Sequence, residues 1–425
     1  MKVRVQATKN THPWFWIPTL YFTEGLPNAA VVVLSVIMYE NLGLSNKEIA
    51  FYTAWFYLPW VIKPLWSPFV EIYRSKRFWV IGMQLLLGAG FAGIALSLPL
   101  DNYLQYSLVI FWLLAFSSAT HDIAADGYYM QVLEEGEQSY FVGIRSTFYR
   151  IAMLTGQGLL VILAGKLSHI YDVKTAWQLT MALLSVIFIA AMAYHAYVLP
   201  RAQKLAPADE KKAVKAGYFE VFSTFFRKKH IGVFIAFILL YRLGEAQLTR
   251  INALFLLDDR ANGGLGLSTE MVGFINGTVG VIALVVGGIL GGILVSRHGL
   301  KYWIWWMVLA INLPDVVYVY MAWQQPESIW IVYLSVMIEQ FGYGFGFTAF
   351  MMYLIYIAQG EFKTAHYAIA TGFMALGMML PGMVSGWIQE SLGYTNFFIW
   401  VLIATLPAFY MVSRLPLEAG FGKAD

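Results

Sequence analysis

Two carboxylates, Asp122 and Asp126, lie four residues apart in SSATHDIAADGYY, inside a long apolar stretch. On a helix that spacing puts both acids on one face in neighbouring turns. One acid at bilayer depth costs about 2.5–3.5 kcal/mol on insertion scales, and a second on the same face adds repulsion. Such a pair can gain and lose protons, or it can be held permanently by a base. The next apolar segment supplies Arg145 and Arg150, and the first segment carries a third acid, Glu24. At about 1.5 Å of rise per residue, Glu24, Asp122 and Arg150 fall at one level, with Asp126 and Arg145 nearer the edge as a second pair. Proton coupling through Asp122, Asp126 and Glu24 and a fixed latch between two helices both remain open on the residues alone.

Glu24 stands in TLYFTEGLPNAA, where Gly25 and Pro27 weaken the helix and Asn28 follows, a pattern expected of a bend that lines a cavity. In YRLGEAQLTRIN, Arg242 and Glu245 share a face at i, i+3, with Gln247, Arg250 and Asn252 beyond them. One self-neutralising pair does not require that many polar groups, which suit a sugar or an acid with several hydrogen-bonding groups. Asp315 after Pro314, and Glu339, Gln340 and Tyr343 in IEQFGYGFGF, complete the polar set, while Gly342, Gly344 and Gly346 permit a bend or close packing. Trp55 and Tyr57 can stack on a sugar face, whereas aromatic residues near the ends of apolar segments read as interfacial belts. Lys63, in KPLWSP among Pro59, Pro64 and Pro68, belongs to a repeatedly broken helix and is expected to snorkel to the surface.

The elements that position these residues follow from composition. The chain is 59% hydrophobic and 12% charged, with a mean hydropathy of +0.62, against about 45–50% and about 25% in soluble domains. It is an all-α membrane protein. A net charge of +3 gives no argument for nucleic acid, and the absence of cysteine excludes disulfides and thiolate chemistry. Runs long enough to span a bilayer fall near 14–39, 49–70, 78–99, 104–131, 138–165 and 176–199, and again near 230–257, 270–295, 301–323, 327–358, 364–389 and 394–414. These are twelve transmembrane helices in two sets of six, residues 1–199 and 230–425, separated by a polar, basic loop at 200–229.

With the N-terminus inside, the inner segments hold most of the basic residues, including Arg74, Lys76, Arg77, Lys211, Lys228, Arg297 and Lys301. The outer loops hold only Lys47, Lys166, Lys174 and Arg260. Both termini are therefore expected on the cytoplasmic side. The opening MKVRVQATKNTHPW lacks a small-residue cleavage site, so the first span is expected to be retained. In the central loop, Phe219, Phe222 and Phe226 fit one face of a helix lying on the inner leaflet, or else a solvated linker.

Gly88, Gly90 and Gly93 match G-x-G-x-x-G but lie within a span, where they read as helix packing rather than a dinucleotide site. There is no P-loop lysine and no H-E-x-x-H, and His121, His195 and His366 suggest no metal cluster, so no cofactor or metal is expected. An intramembrane acyl-transfer enzyme would need a base beside a nucleophile. His121 next to Asp122 is the only close pair, and sequence neighbours point about 100° apart on a helix.

Six spans plus six with a basic central loop resembles the major facilitator superfamily, whose halves form two six-helix bundles around a central cavity. Its loop signature is matched by Gly292, Leu294, Arg297, Gly299 and Lys301, and loosely by Glu71 and Arg74 in the other half; Lys63, Glu71, Arg74, Arg145 and Arg297 are read as structural or gating residues. The Glu-Gly-Leu-Pro of the first span, the element at 63–68, SATHDIAAD in the fourth span, and Gly143, Tyr149, Arg150 and 156–158 in the fifth resemble the AmpG-type muropeptide permeases. The resemblance implies proton symport of N-acetylglucosamine linked to anhydro-N-acetylmuramic acid across a bacterial inner membrane, in peptidoglycan recycling, by a chain expected to be a monomer. It places Asp122, Asp126 and Arg150 on matching positions and leaves acetyl-CoA, siderophores and other oligosaccharides as alternative solutes.

Overall fold

The computed structural model describes residues 11–44, 52–201, 218–267 and 269–424, whose regular elements are all helical. The basic N-terminal stretch, Lys47 and most of the central loop, Lys211 included, lie outside the described residues. The spanning helices are α1 (Pro13–Tyr39), α2 (54–72), α3 (Lys76–Ser97), α4 (Tyr103–Val132), α5 (Glu135–Ser168) and α6 (Val173–Val198). The second set is α7 (Ile231–Leu257), α8 (Ile275–His298), α9 (Leu300–Gln324), α10 (Ile329–Ala358), α11 (363–392) and α12 (394–413). The last two form one helical run, broken where Gly393 takes φ +71°, a left-handed conformation that glycine adopts without a Cβ clash.

Breaks occur where the residue types demand them. In α2, Pro59, Pro64 and Pro68 each fall in the first turn of a short helical piece, Leu58–Ile62, Lys63–Leu65 and Ser67–Ile72. Proline is tolerated there because its missing N–H would be unpaired anyway. In α9, Pro314 opens a tight turn, Leu313–Asp315, between two α-helical pieces. In α7 the helix stops at Leu240 and restarts at Leu243, with Arg242 at φ −114°, ψ 24°. Among the described residues, three spans carry a π-helical turn: Ala30–Leu34 in α1, Thr155–Leu159 in α5 and Ile275–Gly280 in α8. The bend expected around Glu24 is therefore displaced. Residues Ile17–Ala29 are α-helical through Pro27, and the irregularity is taken up in the π turn that follows.

The described residues form two compact units. The first lies within Met1–Val132, Phe148–Phe222 and Gly360–Ile369, with a core that includes Phe56, Phe91, Phe111, Trp177 and Phe188. The second lies within Leu133–Thr147, Ser223–Gln359 and Ala370–Asp425, around Phe255, Tyr318, Val336, Phe397 and Phe398. Within the second unit, α8 divides its glycines between two neighbours. A Cβ on Gly287 or Gly291 would strike α10, while one on Gly292 would meet the Ser139 carbonyl of α5 at 2.7 Å. Gly143 of α5 lies directly against Gly288, with no room for a side chain on Gly143. Gly342, Gly344 and Gly346 likewise serve close approach, to Ala310, Leu284 and Met307, rather than a bend in α10.

The short helix Tyr218–Phe226 buries Val221 and Phe225 and exposes Phe219 and Phe226. Phe222, expected on the same face as those two, is half-buried. Val221 packs on Ile72, Phe362 and Ala365 in the first unit.

Candidate functional site

The acids of the first half converge. Carboxylate oxygens of Glu24 on α1 and of Asp122 and Asp126 on α4 lie within 4.8 Å of one another. Asp122 is ion-paired to the Lys63 ammonium on α2, for which Asp126 and Glu24 are the next charged neighbours. Tyr21, one turn before Glu24, donates its hydroxyl to Asp126 Oδ1 at 3.1 Å. Tyr149 and Arg150 on α5 border the cluster: Asp122, Glu24 and Arg150 are all electrostatic neighbours of the Tyr149 ring. Gly25 makes that approach possible, since a Cβ there would lie 2.7 Å from the Tyr149 carbonyl.

Three expectations change here. Asp126 is level with Glu24 and Asp122 and accepts the Tyr21 hydroxyl, rather than lying nearer the edge, and Arg145 is buried. The base that holds Asp122 is Lys63 rather than an arginine of α5. Lys63 itself is 7% exposed and does not reach the surface, because the proline-broken turns of α2 direct its side chain inward. A lysine midway along an apolar segment was the available signal, and Tyr21 gave none.

His121 serves a different network. Its Nε2 lies 3.0 Å from the Gln84 amide on α3, which also meets Thr23 Oγ1 at 3.1 Å and His195 Nδ1 of α6 at 2.9 Å. His195 Nε2 in turn meets Thr19 Oγ1 at 2.9 Å. His121 and His195 are fully buried, so the former is structural and makes no dyad with Asp122. His366 lies apart, 3.2 Å from the Val221 carbonyl.

In the second half, Arg242 sits at the break in α7 and donates to the Tyr343 hydroxyl. Its guanidinium lies 5.2, 4.9 and 5.9 Å from the ring centres of Tyr343, Phe347 and Phe350. Glu245 turns elsewhere: its carboxylate, with those of Asp315 and Glu339, forms a second buried trio within 4.8 Å. Gln340 donates to Glu339 at 3.0 Å. Gln247, expected to meet solute, is spent on packing. Its Oε1 accepts from Trp400 Nε1 at 2.9 Å and its Nε2 donates to the Leu243 carbonyl at 3.1 Å.

Asn28 is buried one turn beyond Glu24. Tyr57 and Trp55 are half exposed, Tyr57 stacked on Trp60 at 6.0 Å. Among the residues read as gating, Glu71 pairs with Lys76 at 3.1 Å, Arg74 takes φ +65° over Phe78, and Arg297 is exposed at the end of α8.

A family model described as Major Facilitator Superfamily matches residues 19–244. The chain is 26% identical over 412 residues to the anhydromuropeptide permease of Escherichia coli (strain K12), covering 94% of this chain and 79% of that protein. Among solved structures it is similar in fold to the transporter FucP in the outward conformation, with a TM-score of 0.72 at 13% identity over 95% of this chain and 98% of that one. It is also similar to the proton:xylose symporter XylE, with a TM-score of 0.64 at 14% identity over 96% of each chain. The fold and the named relatives are those of transporters, so the protein is a multi-pass membrane transporter of a small molecule and not an enzyme. With more than half of its length matched by the family model, and with the resemblance to the muropeptide permeases extending over nearly all of it, the chain belongs to the major facilitator superfamily.

Proposed function

We propose that this protein is a proton-coupled importer of a cell-wall-derived sugar or muropeptide of the N-acetylglucosamine–anhydro-N-acetylmuramic acid type. It works as a monomer in a bacterial inner membrane, with both termini cytoplasmic, by alternating access between the halves 1–199 and 230–425. The observation that carries the reading is the convergence of Glu24, Asp122 and Asp126 on the buried ammonium of Lys63. A proton and the lysine compete for the same carboxylate. Protonating Asp122 frees Lys63 to pair with Glu24 or Asp126, which moves α2 relative to α1 and α4 and so links proton binding to helix position.

The solute class rests on similarity to the anhydromuropeptide permease and on the Arg242 cradle, where a guanidinium backed by three aromatic rings suits the carboxylate of a muramic acid. One proton moving down about 150 mV supplies about 3.5 kcal/mol, enough to concentrate a neutral solute a few hundredfold. The test is uptake of the labelled disaccharide into proteoliposomes under an imposed pH gradient. Accumulation that collapses with a protonophore is expected, and uptake that never exceeds equilibration would overturn the coupling.

A further inference from the structure

We propose that Glu245, Asp315 and Glu339 form a binding site for a hard metal cation of about the radius of sodium or calcium, independent of the acids of the first half. Three elements deliver the ligands: α7 brings Glu245, the Pro314 turn of α9 brings Asp315, and α10 brings Glu339. All three are buried and carboxylate oxygens from each lie within 4.8 Å of one another. An ion about 2.4 Å from each of its oxygens bridges oxygens up to about 4.8 Å apart, the coordination distance of calcium.

Asp315 is what separates this from an ordinary acid pair. It is 1% exposed, its carboxylate is aimed at the other two, and neither of its oxygens meets a hydrogen-bond donor among the described residues. One turn earlier, Asn312 spends its Nδ2 on the Val308 carbonyl at 2.8 Å, and its buried Oδ1 is also without a donor. A buried carboxylate with no partner costs several kcal/mol, so something positive is required there. No lysine or arginine among the described residues is ion-paired to Asp315 or Glu339.

The surroundings supply further oxygen atoms and hydrogen-bond donors to the trio. Glu339 receives Gln340 Nε2 at 3.0 Å and the Tyr318 hydroxyl at 3.4 Å, and Thr249 Oγ1 lies 2.8 Å from Glu245 Oε1. Two of the acids already accept hydrogen bonds, while the third offers both oxygens bare. Oxygen-only ligands, three of them charged, select a hard cation. A cation there ties α7 to α9 and α10 one turn beyond Arg242.

Thermal unfolding of the purified full chain in detergent tests the site, with NaCl or CaCl2 replacing choline chloride at constant ionic strength and pH. The midpoint is expected to rise by a few degrees with Na+ or Ca2+ but not with K+, because binding to the folded state alone raises stability by mass action. Asp315→Asn and Glu339→Gln are each expected to abolish the shift, and Asp122→Asn to keep it. Asp315→Asn removes a buried charge without changing shape, so it is expected to elute as folded protein in choline, with Glu339→Gln as the second variant should it not. The proposal is overturned if no cation shifts the wild type, if K+ acts as well as Na+ and Ca2+, or if Asp315→Asn keeps the response. It is overturned equally if stability follows pH alone, identically in sodium, calcium and choline, which would mean the trio is held by protons.

Discussion

Lys63 on α2 and Asp122 on α4 are ion-paired across two helices, with side chains 9% and 15% exposed. Truncating one partner of a buried pair strands the other and costs about 3–5 kcal/mol. Lys63→Met is therefore expected to lower the unfolding midpoint markedly, and Lys63→Met combined with Asp122→Asn to recover most of the loss. The double variant is still expected to fail at proton-driven accumulation while exchanging substrate at equilibrium. Accumulation equal to wild type would make the pair a fixed latch.

How much of this was legible in the sequence varies by residue. The spans follow from hydropathy because about 20 apolar residues are needed to cross a bilayer, and the one-face placement of Asp122 and Asp126 follows from helix geometry. The identity of their partner does not, since depth counting assumes straight helices and α2 is broken at three prolines. The meeting of Asp315 with Glu245 and Glu339 was hidden for the same reason: Pro314 turns Asp315 out of regular helix, and three spans distant in sequence supply the trio. Glycine packing was readable as a class, while which neighbour each glycine faces was not.

Arg242→Lys is expected to weaken binding of the anionic disaccharide almost as much as Arg242→Ala, by about tenfold or more in Kd. A point charge cannot reproduce a planar guanidinium held among three rings. Binding calorimetry on both variants checks this, and near-wild-type affinity for the lysine variant would reduce the cradle to a source of charge.

Gly143→Ala is expected to destabilise by about 1–3 kcal/mol, the usual cost of overpacking, because the added methyl runs into the Gly288 carbonyl. Gly165→Ala has open space around it and is expected to be neutral or stabilising by up to about 1 kcal/mol. Paired thermal melts of the two variants give the comparison.

Gln84→Leu removes the side chain on which His121 Nε2, His195 Nδ1 and Thr23 Oγ1 converge in the core of the first unit. Each buried polar group left without a partner costs about 1–3 kcal/mol. The variant is expected to unfold earlier while its substrate affinity stays unchanged, a split that separates this network from the acid cluster beside it. A fall in affinity of the folded variant would join the two.

A π turn accommodates one residue more than the α turn it replaces. The turns at Ala30–Leu34, Thr155–Leu159 and Ile275–Gly280 therefore each hold a supernumerary residue. Deleting one, Val32 for instance, lets the backbone relax into ordinary pairing while everything on either side keeps its azimuth. The same deletion elsewhere in the helix would swing all that follows by about 100°. The backbone itself thus marks three places where the chain can be shortened without being re-aimed.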